Sequence, residues 1–239
     1  MSTDSGPLVV RTWNLFHGNT LPPQRRAFLR EMVELVSADE PAVVCLQEVP
    51  VWALRRLGAW SGMAVVGVVT ARPRLWSAEL GRRLTELNHG LLRSAVTGQA
   101  NAILLARGLR FDTERTLTLS TGGERRVCHS VRVEGLGVIG NFHVTGGASA
   151  DAQFRLAATF VEAQAGAAVL AGDTNLQPGR SSTYEHLRER GFSEPLPGSI
   201  DQILVRGLPS TPPVAWADER RRIGGRLLSD HAPVELTVG

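Results

Sequence analysis

The feature that most constrains the fold of this chain is the alternation of short apolar runs with longer amphipathic patterns. Runs such as residues 8–13 and 42–47 are bounded by Gly, Pro, Asn or Asp, which is typical of β-strands. Residues 151–164 instead repeat their apolar positions at helical spacing. Strands and helices that alternate along one chain predict a mixed α/β domain and exclude a helical bundle.

These patterns predict the following elements. Strands are predicted at residues 8–13, 42–47, 63–69, 102–106, 117–119, 127–133, 138–144, 167–171, 200–205 and 233–238. Helices are predicted from Pro22-Pro23, at residues 52–60, about 75–94 and 151–164, and from a capping box at Ser182 and Glu185 to Gly191. Tight glycine-containing links between residues 102 and 144 indicate that the middle of the chain is largely antiparallel.

The length of the chain, 239 residues, allows one domain to bury roughly 70–75% of its unfolded surface. Because the sequence contains no repeat or linker, we expect a single domain over residues 8–239 after a disordered segment 1–7. No apolar stretch approaches the ~18 residues of a membrane span, which excludes a transmembrane helix.

The amino terminus is polar and lacks the pattern of a secretory signal, which predicts a cytoplasmic protein. Cys45 and Cys128 both lie in predicted strands. We expect them to be buried free thiols in a reducing compartment, and a disulfide between them is the alternative.

The positive charges of the chain are all arginines, since the 26 basic residues include no lysine. A genome rich in GC codons explains this bias, because Arg, Ala and Gly are all abundant. The alternative is functional, because guanidinium groups match the geometry of phosphate oxygens. A formal net charge of +3 does not by itself establish binding to nucleic acid.

Polar side chains lie at the ends of six predicted strands, where open sheets usually place active sites. They are Trp13-Asn14, Gln47-Glu48, His143, Asp173 with Asn175, Asp201 and Asp230-His231. Each alone is consistent with a turn or a helix cap. Together they supply the hard oxygen ligands that Mg²⁺ or Mn²⁺ prefers and histidines for proton transfer. This combination predicts hydrolysis of a phosphate ester.

The order of six motifs resembles that of the endonuclease/exonuclease/phosphatase superfamily. The six motifs are Thr12-Trp13-Asn14, Leu46-Gln47-Glu48, Asn141-Phe142-His143, Gly172-Asp173-Thr174-Asn175, Ile200-Asp201-Gln202-Ile203 and Ser229-Asp230-His231-Ala232-Pro233-Val234. The resemblance runs from residue 10 to the last predicted strand. It implies a four-layer α/β/β/α sandwich with two packed, mainly antiparallel mixed sheets and a site at one edge.

The resemblance also implies a role for each site residue. Glu48 would be the main ligand of the divalent metal, with Asn14 beside it and Asp230 as a second carboxylate on the metal side. The metal would be Mg²⁺ or Mn²⁺.

The remaining site residues would act on water and phosphate. Asp173 would activate or orient the attacking water, and Asn175 would hold a phosphate oxygen. His231 would contact the scissile phosphate and be held in position by Asp201. His143 is similar to the second histidine of pancreatic-type deoxyribonucleases and sphingomyelinases.

Three features depart from the family pattern. Phe16 lies where apurinic endonucleases carry a metal-side aspartate, so a second metal site would have fewer ligands here. Gln202 stands where many relatives have His or Tyr. The predicted helix at about 75–94 matches no motif and therefore does not indicate the class of substrate.

Arginines outside the motifs are further candidates for substrate contact. Arg220, Arg221, Arg222 and Arg226 precede the motif at Asp230-His231, so their loop either binds phosphates flanking the scissile one or is a solvated loop.

The remaining candidates for substrate contact have simpler explanations. Arg125-Arg126 is interpreted as a solvated turn. Trp13, Trp52 and Trp60 fall in apolar patterns and are interpreted as core residues rather than stacking platforms.

The leading hypothesis is a metal-dependent phosphodiesterase, most simply a nuclease acting on DNA or RNA. The alternative is a phosphomonoesterase or a phosphodiesterase of lipid head groups, inositol-phosphatase-like or sphingomyelinase-like. A non-catalytic binding module predicts loss of several catalytic positions, whereas those positions are all present.

Overall fold

The computed structural model describes residues 6–24, 26–73, 82, 97–120 and 122–239. The predicted helix at about 75–94 therefore lies outside the described residues, except for residue 82. The segment 1–7 that was expected to be disordered also lies outside them, except for Gly6 and Pro7.

The described elements, in chain order, alternate as the sequence predicts. The strands are β1 (Leu8–Asn14), β2 (Thr20–Leu21), β3 (Val43–Val49), β4 (Ala64–Ala71), β5 (Gln99–Leu105), β6 (Phe111–Thr118), β7 (Val127–Val133), β8 (Gly137–His143), β9 (Ala168–Asp173), β10 (Asp201–Arg206), β11 (Val214–Ala215), β12 (Arg222–Ile223), β13 (Arg226–Leu228) and β14 (Val234–Val238). The α-helices are α1 (Leu29–Val36), α2 (Leu54–Ser61), α3 (Ala150–Glu162) and α4 (Ser182–Glu189).

Two large sheets form the centre of the described structure. One has the order β11-β14-β1-β3-β5-β4 and the other β10-β9-β8-β7-β6. Only the pairs β1/β3 and β8/β9 are parallel among the described pairings in these sheets. The sheets are therefore mixed and mainly antiparallel, as expected.

Three apolar cores separate four layers. One core lies between the two sheets and contains residues such as Val10, Ile139 and Ile203. The second packs α1 and α2 on the outer face of the first sheet, and the third packs α3 and α4 on the outer face of the second. The four-layer α/β/β/α sandwich that the resemblance implied is confirmed.

Polar side chains cross the interior between the sheets near the ends of the central strands. Gln47 Nε2 donates to Thr12 Oγ1 at 3.0 Å and to Asn141 Oδ1 at 2.8 Å. Asn141 Nδ2 in turn donates to the carbonyls of Leu46 and Ala102, across the interface. These bonds satisfy buried polar groups and join β8 to the opposite sheet just below the site.

Two helix starts differ from the predictions. Helix α1 begins at Leu29 and not at Pro22-Pro23, because the chain first pairs Thr20–Leu21 with β13. The capping side chain of α4 is Ser181, whose Oγ accepts from the Thr183 N–H, and not Ser182. Cap identity depends on local dihedral angles that the sequence pattern alone does not define.

Cys45 and Cys128 are buried and unbridged, as expected. Trp13 is fully buried. Within the described part of the chain, no helix is long and apolar enough to cross a membrane.

Candidate active site

The strand ends bring the predicted site residues to one edge of the sandwich. Asn14, His143 and Asp173 are the last residues of β1, β8 and β9, and Glu48 is the penultimate residue of β3. The register sets His143 beside Asp173 and Asp173 beside Asp201 on β10. Residues far apart in sequence are neighbours because β1, β3, β8 and β9 end at this edge, where the antiparallel β10 begins.

Glu48 occupies an irregular point of its strand. The pairing of β3 with β5 shifts register between Leu46 and Val49, and Glu48 has a φ of +52°. A left-handed conformation is costly for a residue with a Cβ and recurs at functional sites. The Glu48 carboxylate lies 3.4 Å from His17 Nε2 and 4.0 Å from His143 Nε2.

The surroundings of Glu48 hold its pKa above the ordinary value for glutamate. Burial is the largest cause and opposes ionisation. The charge of Arg126 and a hydrogen bond from Asn14 act in the opposite direction without cancelling it. A bound cation would stabilise the negative charge of this carboxylate, which burial disfavours.

Asp173 is the central carboxylate of the site. Its Oδ2 accepts from Asn14 Nδ2 at 3.0 Å, and its Oδ1 accepts from the Asn175 backbone N–H at 2.8 Å. Burial and the nearby charge of Asp201 raise the pKa of Asp173, and His231 only partly offsets this. The carboxylate is thereby poised to take up a proton near neutral pH.

His231 pairs with a carboxylate on the neighbouring strand. Its Nδ1 lies 2.8 Å from Asp201 Oδ2, and its Nε2 lies 3.9 Å from Asp173 Oδ2. Burial opposes the charged imidazolium, but the hydrogen bond and charge of Asp201 outweigh it and raise the pKa of His231. The Asp201–His231 pair thus favours a protonated ring with Nε2 directed toward Asp173.

His143 has the opposite environment. Arg126 Nη1 lies 2.8 Å from His143 Nδ1, and Arg126 can only donate. Burial, followed by the charge of Arg126, lowers the pKa of His143 well below the usual value. The ring is therefore neutral, and its Nε2 lies 3.4 Å from Asp173 Oδ2 and 3.3 Å from Asn175 Nδ2.

Three buried residues of the site were not identified from the sequence: His17, Gln99 and Arg126. Gln99 Nε2 lies 3.0 Å from His17 Nε2, and Arg126 Nη1 lies 3.5 Å from Gln99 Oε1. With His143, they form a polar chain around Glu48. The interpretation of Arg126 as part of a solvated turn was wrong, because its guanidinium is buried while that of Arg125 is exposed.

A sequence signal existed for only some of these residues. His17 follows Asn14 by three positions in a loop at the same strand end, which places it near the site. Arg126 lies between the exposed Arg125 and the first residue of β7. The alternation of buried and exposed side chains in β7 does not show, without the fold, on which side Arg126 lies.

The predicted metal ligands differ in exposure, since Asn14 is buried and Asp230 is exposed. Asp230 is exposed and follows Ser229, whose φ is +59°. Its Oδ1 lies 3.9 Å from His231 Nε2. Asn14 Oδ1 accepts from the Phe16 N–H at 2.9 Å, which fixes the orientation of the amide.

A second arrangement could also hold a metal. Ligand atoms of Asp173, Asp201 and His231 all lie within 4.8 Å of one another. In this group, His231 Nδ1 and Asp201 Oδ2 are already hydrogen-bonded to each other.

Gln202 serves a local structural purpose. Its side chain accepts from the Leu196 N–H and donates to the carbonyls of Leu196 and Ser199. It therefore holds the loop that precedes β10 and Asp201.

The arginine loop differs from the prediction that its side chains bind flanking phosphates. Arg221 is buried and bonded to backbone carbonyls of the loop, so it is not available to substrate. Arg220 lies 3.5 Å from the centre of the Trp216 ring and bonds to Glu235 on strand β14.

The other two arginines, Arg222 and Arg226, contact residues of the loop itself. Arg222 Nη2 lies 3.8 Å from Asp218 Oδ2, and Arg226 Nη1 donates to the Gly224 carbonyl. Of the four arginines, Arg221 is buried, whereas Arg220 and Arg222 are exposed and Arg226 is partly exposed.

Comparison with known proteins agrees with this geometry. Residues 12–231 match the model of the endonuclease/exonuclease/phosphatase family. The chain belongs to this family of phosphoesterases. A comparison with curated protein sequences gives no significant match.

Solved structures share the fold at low sequence identity. A conserved protein of unknown function from Enterococcus faecalis has a TM-score of 0.72 at 18% identity, over 97% of this chain and 99% of that one. A mannosyl-6-phosphatase from Bacteroides thetaiotaomicron has a TM-score of 0.70 at 17% identity, over 97% and 99%. TDP2 from Caenorhabditis elegans has a TM-score of 0.64 at 17% identity, over 98% and 74%.

Proposed function

We propose that the chain is a divalent-metal-dependent phosphodiesterase that uses Mg²⁺ or Mn²⁺. One observation carries this proposal: Glu48, Asp173 and the Asp201–His231 pair converge at one edge of the sandwich. A cation site, a carboxylate for water and a protonated imidazole are what phosphate ester hydrolysis requires.

The residues present fit a hard divalent cation. Glu48 is a largely buried carboxylate whose pKa is raised by burial, and it shares the site with three aspartates. Oxygen ligands of this type suit Mg²⁺ or Mn²⁺ better than Zn²⁺. We assign metal binding to Glu48, Asn14 and Asp230. When bound, the cation would neutralise phosphate charge and polarise the ester.

We assign the Asp173, Asp201 and His231 group to proton transfer rather than to the metal. The hydrogen bond between His231 Nδ1 and Asp201 Oδ2 already engages one candidate ligand atom of each of these two residues. Asp173, with its raised pKa, accepts a proton from the attacking water. His231 Nε2 faces the reacting phosphate and offsets the negative charge that develops there. Asn175 and neutral His143 then orient phosphate oxygens.

Metal dependence is tested by titrating Mg²⁺ or Mn²⁺ into the chelator-treated chain. The hydrolysis of bis(p-nitrophenyl) phosphate is expected to need the metal, and Glu48→Gln is expected to lose most activity while the fold persists. Glu34→Gln, on the exposed face of α1, is the matched control. Full activity in chelator would exclude the proposal.

The substrate is proposed to be a polynucleotide, with a phosphomonoester as the second candidate. The second candidate gains support because Arg220 and Arg221, which would have bound flanking phosphates, bond within the chain. A protein of the same fold, at 17% identity, is a mannosyl-6-phosphatase, which also supports the second candidate.

A parallel screen separates these candidates. Plasmid DNA, single-stranded DNA, RNA and phosphomonoesters are incubated with metal, and Asp173→Asn serves as the blank. For a polynucleotide, Arg222→Gln and Arg226→Gln should each flatten the salt dependence of binding, by about 0.9 in log–log slope on a duplex. Cleavage of phosphomonoesters alone would overturn the nuclease assignment.

A further inference from the structure

Arg221 makes a set of contacts unlike those of its neighbours in the loop. Its side chain is buried, and Nη1 lies within 3.1 Å of the carbonyl oxygens of Leu228, Ser229 and His231. Nη2 donates to Asp218 Oδ1 at 2.7 Å. One guanidinium therefore bonds to most of the segment that carries Asp230 and His231.

The same segment is held from the opposite side by β1. Trp13 Nε1 donates to the His231 carbonyl at 2.9 Å, so this oxygen accepts from both Trp13 and Arg221. Ser229 Oγ donates to the Asn14 carbonyl at 2.8 Å and accepts from the His231 N–H at 3.1 Å. The backbone of His231 is thus held between β1 and Arg221.

The segment needs such support because its backbone is strained. Ser229 has a φ of +59°, a conformation that residues with a Cβ adopt only when the surroundings enforce it. Strand β13 ends at Leu228 and β14 starts at Val234, and between them the Ser229 N–H donates to the Asn19 carbonyl at 3.0 Å. Arg221 donates to the carbonyls of Leu228 and Ser229, and it is a second donor, besides Trp13, to the His231 carbonyl.

We propose that Arg221 is a positioning residue that sets the location of His231 at the reacting phosphate. This inference rests on the proposed phosphoesterase function and assigns to Arg221 a role within the chain in place of phosphate binding. A guanidinium suits the role because it is always charged and presents donors in a fixed plane. A lysine offers a single nitrogen and could not bond to the carbonyls and Asp218 together.

We call the contacts of Arg221 and Trp13 with the His231 carbonyl the clamp. It is tested without reference to activity by following the Trp13 indole N–H in ¹⁵N–¹H NMR spectra of the full chain. The chain has five tryptophans, so the signal is assigned by its loss in Trp13→Phe. Arg221→Ala is expected to shift or broaden it, because the shared His231 carbonyl moves. Arg222→Ala, exposed in the same loop, is the matched control. A Trp13 signal that stays in place in Arg221→Ala overturns the clamp.

The consequence for catalysis is tested with bis(p-nitrophenyl) phosphate and saturating Mg²⁺. Arg221→Ala is expected to lower kcat by about 100-fold, in the range caused by small misplacements of catalytic groups, with KM unchanged. Guanidinium chloride, far below denaturing concentrations, is expected to restore part of kcat by filling the vacated space. Sodium chloride at equal ionic strength is the control.

The remaining outcomes are also decisive. A raised KM with unchanged kcat would make Arg221 a substrate contact and overturn the inference. If Arg221→Ala does not fold, Arg221→Lys replaces it, and wild-type kcat in that variant overturns the inference. A wild-type chain inactive on every phosphate ester would sink the proposed function, whereas the NMR result would still decide the clamp.

Discussion

The two histidines of the site show how the surroundings give one residue type opposite properties. His231 faces Asp201 and has a raised pKa, whereas His143 faces Arg126 and has a lowered one. Burial lowers the pKa of both rings, so the sign of the net shift depends on the charged partner. One ring can therefore carry positive charge toward a phosphate while the other stays neutral beside Asp173.

Replacement of His231 is the direct test of this division. His231→Ala is expected to reduce turnover by about 10²–10⁴, the range for loss of an acid–base or charge-stabilising group. Asp201→Asn keeps the shape but removes the charge that favours the imidazolium, so a smaller loss is expected. Turnover is measured under saturating metal, and His186→Ala, on α4 away from the site, is the control. Near-normal turnover in His231→Ala would show that this ring is not at the reacting phosphate.

At the scale of elements, the ends of β8 and β9 define the position of the central carboxylate. Gly172 pairs with Phe142 and precedes Asp173, with a φ of +151°. A Cβ at Gly172 would overlap the Phe142 carbonyl. The close approach of the two strands, and with it the location of Asp173, therefore requires glycine.

Gly172→Ala is accordingly expected to destabilise the fold by about 3 kcal/mol, through overpacking and an unfavourable φ. The matched control is Gly135→Ala, because Gly135 also has positive φ but open space around the added Cβ. Its cost should be about 1 kcal/mol. Unfolding by urea measures both. Equal losses would mean that the strands separate easily and that contact with Phe142 does not define the site.

At the scale of the whole molecule, the space between the sheets contains polar groups as well as an apolar core. His129, on β7, is fully buried, and neither ring nitrogen has a hydrogen-bond partner among the described residues. Burial lowers the pKa of His129 to about 3. Protonation of this ring is therefore coupled to opening of the sandwich.

The stability of the chain should consequently fall in acid. Because the folded-state pKa of His129 lies below its unfolded value, the unfolded chain binds the extra proton between about pH 6.5 and 3. The contribution of neutral His129 to the free energy of unfolding is therefore complete above pH 6.5. Below pH 6.5 this contribution falls by about 1.4 kcal/mol per pH unit. His129→Leu should remove this part of the slope in urea unfolding measured between pH 7 and 4.5. An unchanged slope would show that the ring is not buried as a neutral group.

The family, the layer order and most of the site could be predicted from the sequence. Apolar alternation records which face of each strand is buried, and Glu48, Asp173 and His231 occur in motifs with local sequence order. Such local patterns can be recognised in the sequence without knowledge of long-range contacts. They also located Asn14, Asp201 and His143 at strand ends, where the structure brings them together.

Only the tertiary structure decided which arginines serve the site and which serve the fold. The sequence places Arg126 in a solvated turn, but it lies against His143. For Arg221 the sequence leaves open a phosphate contact or a solvated loop, but Arg221 binds the backbone of the His231 loop. An arginine has the same charge and reach in either role, and neighbouring residues do not distinguish them. The difference depends on which carbonyls and rings distant strands place within about 3 Å of the guanidinium, and that distance is set by packing alone.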